Sequence, residues 1–170
     1  AFGTGHHGTT LGCLQAFDGL LDAGFKGGKI ADVGCGTAVL AMAAAKVLPD
    51  HILASDIDPV AVEVAAANVA ANGLTGRVDC VVGAGFDASA FAQRGPFDLV
   101  FANILKGPLI GLAPDMGRFV APHGHVILSG ILNEQAEEVV TIYQRNGFNL
   151  LKQDSIVEWT TLLMRKNPPV

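Results

Sequence analysis

Apolar runs rich in β-branched residues alternate along this chain with alanine-rich stretches that have the composition of helices. Such alternation is typical of a parallel sheet covered by helices on both faces. The predicted strands cover residues 29–33, 51–56, 78–82, 97–103, 125–129, 149–156 and 159–165, and the predicted helices cover residues 9–23, 38–48, 59–72, 110–119 and 134–146. No helical stretch separates the last two strands, so we expect them to form an antiparallel hairpin at the sheet edge. The sequence therefore predicts an α/β fold with a doubly wound mixed sheet of seven strands, in a single domain over residues 1–170.

Two of the predicted helices have recognisable ends. Helix 59–72 starts at Pro59, and the preceding Asp58 is expected to act as its N-cap. Helix 134–146 is followed by Gly147, at the position after a helix where glycine is favoured.

The first predicted strand ends in Asp32-Val33-Gly34-Cys35-Gly36, and the second ends in Asp56. Ligands of open α/β sheets bind outside the carboxyl ends of the strands. Glycine at Gly34 and Gly36 leaves room for a nucleotide cofactor, because a side chain there would block its approach. Asp56 follows Gly34 by 22 residues and is placed to hold both hydroxyls of a ribose. This pattern predicts a ribose-bearing cofactor, with a tight turn that binds no ligand as the alternative.

The spacing of the glycines separates two cofactor classes. A dinucleotide-binding turn has the form Gly-x-Gly-x-x-Gly, but the sixth position counted from Gly34 is Val39. No third glycine is therefore present to support a pyrophosphate at the start of the helix. S-adenosyl-L-methionine has no phosphate, and the expected hairpin suits a methyltransferase sheet. The residues thus favour S-adenosyl-L-methionine over NAD.

Composition excludes several other functions. The net charge of −5 argues against a nucleic-acid-binding surface, which needs clustered Lys and Arg. Cys13, Cys35 and Cys80 have neither the spacing of a zinc site nor an even number, so we expect buried thiols and no metal. The sequence contains no apolar run of about 20 residues, the length that a membrane span needs, and no recognisable signal peptide. We therefore expect a cytoplasmic protein. The start at Ala1, without Met, suggests a fragment of a longer chain.

Several segments beyond the glycine turn carry a family resemblance. The sequence AFGTGHHGTT at residues 1–10 resembles the AFGTGxHxTT motif of PrmA-type ribosomal protein L11 methyltransferases. NILKGPL at residues 103–109 is similar to the NILxGPL motif of that family, SGIL at residues 129–132 to its (S/T)GIL segment, and Glu158-Trp159 to its late EW pair. The resemblance covers essentially all of the chain.

The resemblance implies a set of cofactor contacts. It assigns Thr10, Gly34, Asp56 and Asn103 to the binding of S-adenosyl-L-methionine, as expected for the glycine turn that also includes Gly36. Phe2 and His7 are expected to line the same pocket, and Asp87 to reach the adenine side. It also implies an N-terminal domain that recognises the ribosomal protein, and we expect that domain to be absent from this chain.

The chemistry requires a neutral amine aligned with the methyl carbon in a site that excludes water. We expect the Asn103 amide and the backbone carbonyls of Ile104 and Leu105 to orient that nitrogen. The expected reaction is methylation of lysine side chains and of the α-amino group of ribosomal protein L11. The alternatives are a methyltransferase with another protein or small-molecule substrate and an inactive cofactor-binding module.

Overall fold

The structure is a computed structural model that describes residues 7–168. Its helices are α1 (His7–Asp22), α2 (Val39–Val47), α3 (Pro59–Ala71), α4 (Ser89–Arg94), α5 (Lys106–Gly111), α6 (Ala113–Phe119) and α7 (Ala136–Arg145). Its strands are β1 (Ile30–Val33), β2 (Ile52–Asp56), β3 (Val78–Val82), β4 (Phe97–Asn103), β5 (Val120–Leu132), β6 (Phe148–Ile156) and β7 (Trp159–Lys166). A 3-10 turn, Asn133–Gln135, leads into α7.

All seven strands form one sheet in the order β3-β2-β1-β4-β5-β7-β6. The pairs from β3 across to β5 are parallel, whereas β7 runs antiparallel to both β5 and β6. The predicted mixed sheet and its terminal hairpin are therefore confirmed. The strand order reverses between β1 and β4, which is the position where open α/β sheets form a ligand crevice.

Helices cover both faces of the sheet. On one face, α1, α2 and α3 pack against side chains such as Ile30, Phe101 and Ile127, and the Phe17 ring of α1 meets Phe101 edge to face at 5.5 Å. On the other face, α4 to α7 pack against Val100 and Leu128. Although α1 comes first in the chain, it packs on the late strands β5 and β7.

Three predicted elements differ from the structure. Helix α4 was not predicted, because six residues with Phe91 as the buried one carry too little periodicity to be recognised. The predicted helix 110–119 is instead two helices that meet at Leu112, with Pro114 in the first turn of the second. Strand β5 extends well beyond the predicted 125–129 and contains an irregularity at His123, where φ is +67°.

The predicted helix ends are confirmed. The Asp58 side chain accepts a hydrogen bond from the Val60 N–H at 2.9 Å, and Gly147 adopts a positive φ of +95° after α7.

Cys13, Cys35 and Cys80 are free thiols. Within residues 7–168, none of the helices combines the length and the apolar character that crossing a membrane would require.

Candidate functional site

The glycine turn after β1 is fixed by its neighbours. Gly34 has a φ of +71°, and a Cβ atom there would lie 2.5 Å from Cγ2 of Ile104, which follows β4. The next residue, Cys35, donates its backbone N–H to the Ser55 carbonyl at 2.8 Å. Gly36 also has a positive φ, but the space where its Cβ would lie is open. The turn therefore packs against Ile104 on one side and leaves room for a ligand at Gly36.

The Asp56 carboxylate is held at the end of β2 by two backbone N–H groups. Its Oδ2 accepts from Gly36 and its Oδ1 accepts from Asp58, each at 3.0 Å. Each carboxylate oxygen can accept a further hydrogen bond. Asp56 is thus pinned to the glycine turn with acceptor capacity left for a ligand.

Asn103 ends β4 beside β1. Its Oδ1 is buried and has no hydrogen-bond partner among the described residues. The following residue, Ile104, donates its N–H to the Ser129 carbonyl at 3.1 Å, and Leu105 is 56% exposed at the start of α5. A buried acceptor without a partner costs free energy unless a ligand satisfies it. Asn103 therefore offers an unused acceptor at the carboxyl edge of the sheet.

Asp32 lies within β1 beneath the glycine turn and is only 1% exposed. The pKa of this carboxyl is raised to about 7: burial is the largest cause, a hydrogen bond from the Ala41 N–H at 3.1 Å opposes the rise, and the charge of Asp56 adds to it. Sequence reasoning placed Asp32 in the glycine turn but missed its burial, since the burial depends on α1 and α2.

The structure places Gly34, Gly36, Asp56 and the segment 103–105 at one edge of the sheet, because the carboxyl ends of parallel strands meet there. Asp87 is exposed in the loop that follows β3, at the same edge. The roles of these residues in cofactor binding and catalysis stay predictions.

The predicted residues near the start of the chain are described only in part. Thr10 is half-buried in the first turn of α1, beside the fully buried Thr9. His7 begins α1, but its side chain lies outside the described part of the structure, as does Phe2 altogether.

Sequence reasoning missed one residue at this edge. Ile57 directly follows Asp56 and is 71% exposed. An apolar side chain between two aspartates in a loop was the available signal, because such a loop position is usually polar.

A cavity of about 300 Å³ lies at the opposite edge of the sheet and is not part of this site. It is lined by Lys29, His51, Arg94 and Phe97, among others, and Arg94 already pairs with Asp79 at 2.9 Å. None of the predicted site residues borders it. Residues 7–168 also contain no group of three or more potential ligands that could hold a metal.

A family model described as ribosomal protein L11 methyltransferase (PrmA) matches residues 1–167. Curated relatives named ribosomal protein L11 methyltransferase from Rhodopseudomonas palustris (strain BisB5) and Bradyrhizobium diazoefficiens are each 49% identical over 98% of this chain. The chain covers 56% of each relative, so it spans little more than half of their length.

Solved structures show the same fold. A ribosomal protein L11 methylase from Lactobacillus delbrueckii subsp. bulgaricus is 29% identical, with a TM-score of 0.83 over 94% of this chain and 79% of that one. An RNA methyltransferase from Salinibacter ruber in complex with S-adenosyl-L-homocysteine is 16% identical, with a TM-score of 0.70 over 92% of this chain and 93% of that one. The second likeness supports the fold alone.

Proposed function

Because this chain belongs to the ribosomal protein L11 methyltransferase (PrmA) family, we propose that it transfers methyl groups from S-adenosyl-L-methionine to ribosomal protein L11. The proposed acceptors are lysine side chains and the α-amino group. The observation that carries the proposal is the buried, partnerless Oδ1 of Asn103 at the edge where Gly36 and Asp56 also lie. We place the reaction in the cytoplasm, where ribosomal proteins are made, and without a nucleic-acid or membrane partner.

The residues at this edge fit S-adenosyl-L-methionine. The free acceptor capacity of Asp56 suits the two ribose hydroxyls, and the open space at Gly36 admits the cofactor backbone. The exposed Ile57 provides an apolar surface for the adenine ring, with Asp87 on the same side. In this proposal Thr10, together with Phe2 and His7, completes the pocket from α1 and the residues before it.

When bound, S-adenosyl-L-methionine would supply a methyl group on a sulfonium: the neutral amine nitrogen attacks the methyl carbon in line, the methyl–sulfur bond breaks, and S-adenosyl-L-homocysteine leaves as the positive charge passes to the nitrogen. The attacking amine needs a free lone pair, so the site must favour its neutral form. The Asn103 Oδ1 accepts one amine N–H without carrying a charge, and therefore orients the nitrogen without stabilising an ammonium ion by an ion pair. The carbonyls of Ile104 and Leu105 accept the remaining N–H. Holding the nitrogen in one position accounts for much of the rate enhancement such a site can provide.

A second candidate is a cofactor-binding unit that captures no substrate by itself. The observation in its favour is that the chain covers 56% of its relatives, whose remaining length can contribute to recognition of the ribosomal protein. A methyltransferase acting on another protein or a small molecule is the further alternative.

Calorimetric titration tests the cofactor. We expect S-adenosyl-L-methionine to bind and NAD not to bind. Asp56→Ala should lose about 1.5–3 kcal/mol of binding free energy, because a charged acceptor is lost. Asp58→Ala is the matched control: it removes a neighbouring carboxylate that caps α3, so it should lower stability by about 1 kcal/mol and leave the affinity unchanged. Binding of NAD alone, or an unchanged affinity in Asp56→Ala, would contradict the proposal.

Transfer of labelled methyl groups to purified ribosomal protein L11 tests the substrate. Labelling of the protein by this chain supports the enzyme, and cofactor binding without labelling supports the cofactor-binding unit. Asn103→Asp should shift the pH profile of kcat to higher pH, because a carboxylate stabilises the protonated amine and so raises its pKa. An unchanged pH profile in that variant would show that Asn103 does not orient the amine.

A further inference from the structure

Two buried hydroxyl groups lie between α1 and the end of β5. Ser129 is fully buried and Thr161 is 6% exposed, and their oxygens, Oγ and Oγ1, are 3.1 Å apart. The register between β5 and β7 shifts here, so that Ser129 and Gly130 together lie opposite Thr161, and Gly130 has a φ of +89°. Such a bulge changes the direction of a side chain, and bulges are frequent near active sites.

Thr161 touches α1 directly. A Cβ atom at Gly12, which is buried in α1, would overlap Oγ1 of Thr161 and lie 3.2 Å from its Cβ. The helix can approach the sheet this closely only because residue 12 is glycine. Thr10, predicted to bind the cofactor, lies two residues before Gly12 in the same helix. The distance of Thr10 from the sheet therefore depends on the contact between Gly12 and Thr161.

Ser129 touches the other part of the proposed site. Its carbonyl accepts the Ile104 N–H at 3.1 Å, and it is the register partner of Asn103 on β4. Its hydroxyl meets Thr161, so contacts run from Gly12 through Thr161 and Ser129 to the segment that carries Asn103.

We propose that Thr161 is a positioning residue that sets the spacing between the first turn of α1 and the Asn103 segment. It acts through Gly12 on one side and Ser129 on the other, without touching cofactor or substrate. The inference rests on the proposed function, since it concerns the same site. Its consequence is that the cofactor-holding and amine-orienting parts of the site are mechanically joined.

A steric rescue tests the inference. Gly12→Ala must push α1 away from the sheet, so we expect the Kd for S-adenosyl-L-methionine to rise about tenfold or more and kcat to fall. Combining Gly12→Ala with Thr161→Ala removes the overlapping atom, and should bring the Kd back to that of Thr161→Ala alone. Gly19→Ala is the matched control on α1, because its Cβ would meet nothing within 4 Å. It should leave the Kd unchanged.

The same measurements separate positioning from a purely structural role. A structural role would lower Tm and the active fraction of Gly12→Ala but leave the Kd of that fraction unchanged. A Kd in Gly12→Ala equal to that of Gly19→Ala, or no recovery in the double variant, would overturn the inference. A wild-type protein that binds no S-adenosyl-L-methionine would overturn the proposed function as well, so the two failures are distinguishable.

A second pair of variants serves if Gly12→Ala does not fold. Thr161→Ser keeps the hydroxyl that meets Ser129, whereas Thr161→Val replaces it with a larger methyl group against Gly12. Thr161→Ser should bind S-adenosyl-L-methionine about tenfold more tightly than Thr161→Val, a difference of about 1.4 kcal/mol. Equal Kd values for the two variants would overturn the inference.

Discussion

Replacing Asp32 should change how the stability of this protein depends on pH. Asp32 is 1% exposed, and burial is the largest cause that raises its pKa from 3.8 to about 7. Asn at this position removes the titration, while its amide oxygen can still accept the hydrogen bond from the Ala41 N–H. The perturbation thus isolates the cost of ionising one buried carboxyl.

The direction and size of the effect follow from the two pKa values. Between about pH 4 and pH 7 the native protein keeps the Asp32 proton that the unfolded chain has released, so its free energy of unfolding falls as pH rises. The full loss, reached above pH 7, is about 4 kcal/mol at about 1.4 kcal/mol per pKa unit. Other groups add their own pH dependence, but they are common to the wild type and the variant.

Urea unfolding from pH 4 to pH 8, without cofactor, measures this difference. The stability of Asp32→Asn relative to the wild type should rise with pH by up to about 4 kcal/mol, with equal m values in both proteins. A difference that is constant with pH, or that falls as pH rises, would refute the reasoning, because it would mean that Asp32 is ionised in the native state.

Two further substitutions test individual contacts. Gly34→Ala should lower the free energy of unfolding by about 1–2 kcal/mol because of its positive φ, and by more because the new Cβ displaces Ile104. It should also weaken cofactor binding, which calorimetry measures. Gly36→Ala should lose only the contribution of the positive φ, because its Cβ would lie in open space. Equal losses of stability in the two variants would contradict this prediction. Tyr143→Phe removes the donor of a 2.7 Å hydrogen bond to the buried Leu109 carbonyl, and should lower the free energy of unfolding by about 1–3 kcal/mol. Urea unfolding measures this loss, and a change below about 0.5 kcal/mol would show that water replaces the hydroxyl.

The parts of the fold that depend on local chemistry could be predicted from the sequence. Asp58 and Pro59 mark the start of α3, and Gly147 follows α7, because caps are set by residues close in sequence. The seven strands followed from their apolar runs. Helix α4 and the extension of β5 could not be predicted, since both depend on packing against β4 and its neighbours.

The site divides in the same way. Gly34, Asp56 and Asn103 could be expected to meet, because each lies at the carboxyl end of a parallel strand or directly after it, and those ends share one edge of the sheet. The burial of Asp32 and the contact of Gly12 with Thr161 both depend on residues that are far apart in sequence. No local pattern records such contacts, and they appear only once the sheet order is known.

The packing of α1 on β5 and β7 has a consequence for how the chain folds during synthesis. The apolar face of α1 leaves the ribosome before the strands that it packs on, and β7 begins more than 130 residues after α1 ends. Until then this face lacks part of the surface that covers it, and contacts between such distant segments form slowly because a long loop must close. The nascent chain therefore exposes the apolar face of α1 while the residues between α1 and β7 are being translated, and transiently exposed apolar surface of this kind favours aggregation. The final strand completes the burial of the first helix.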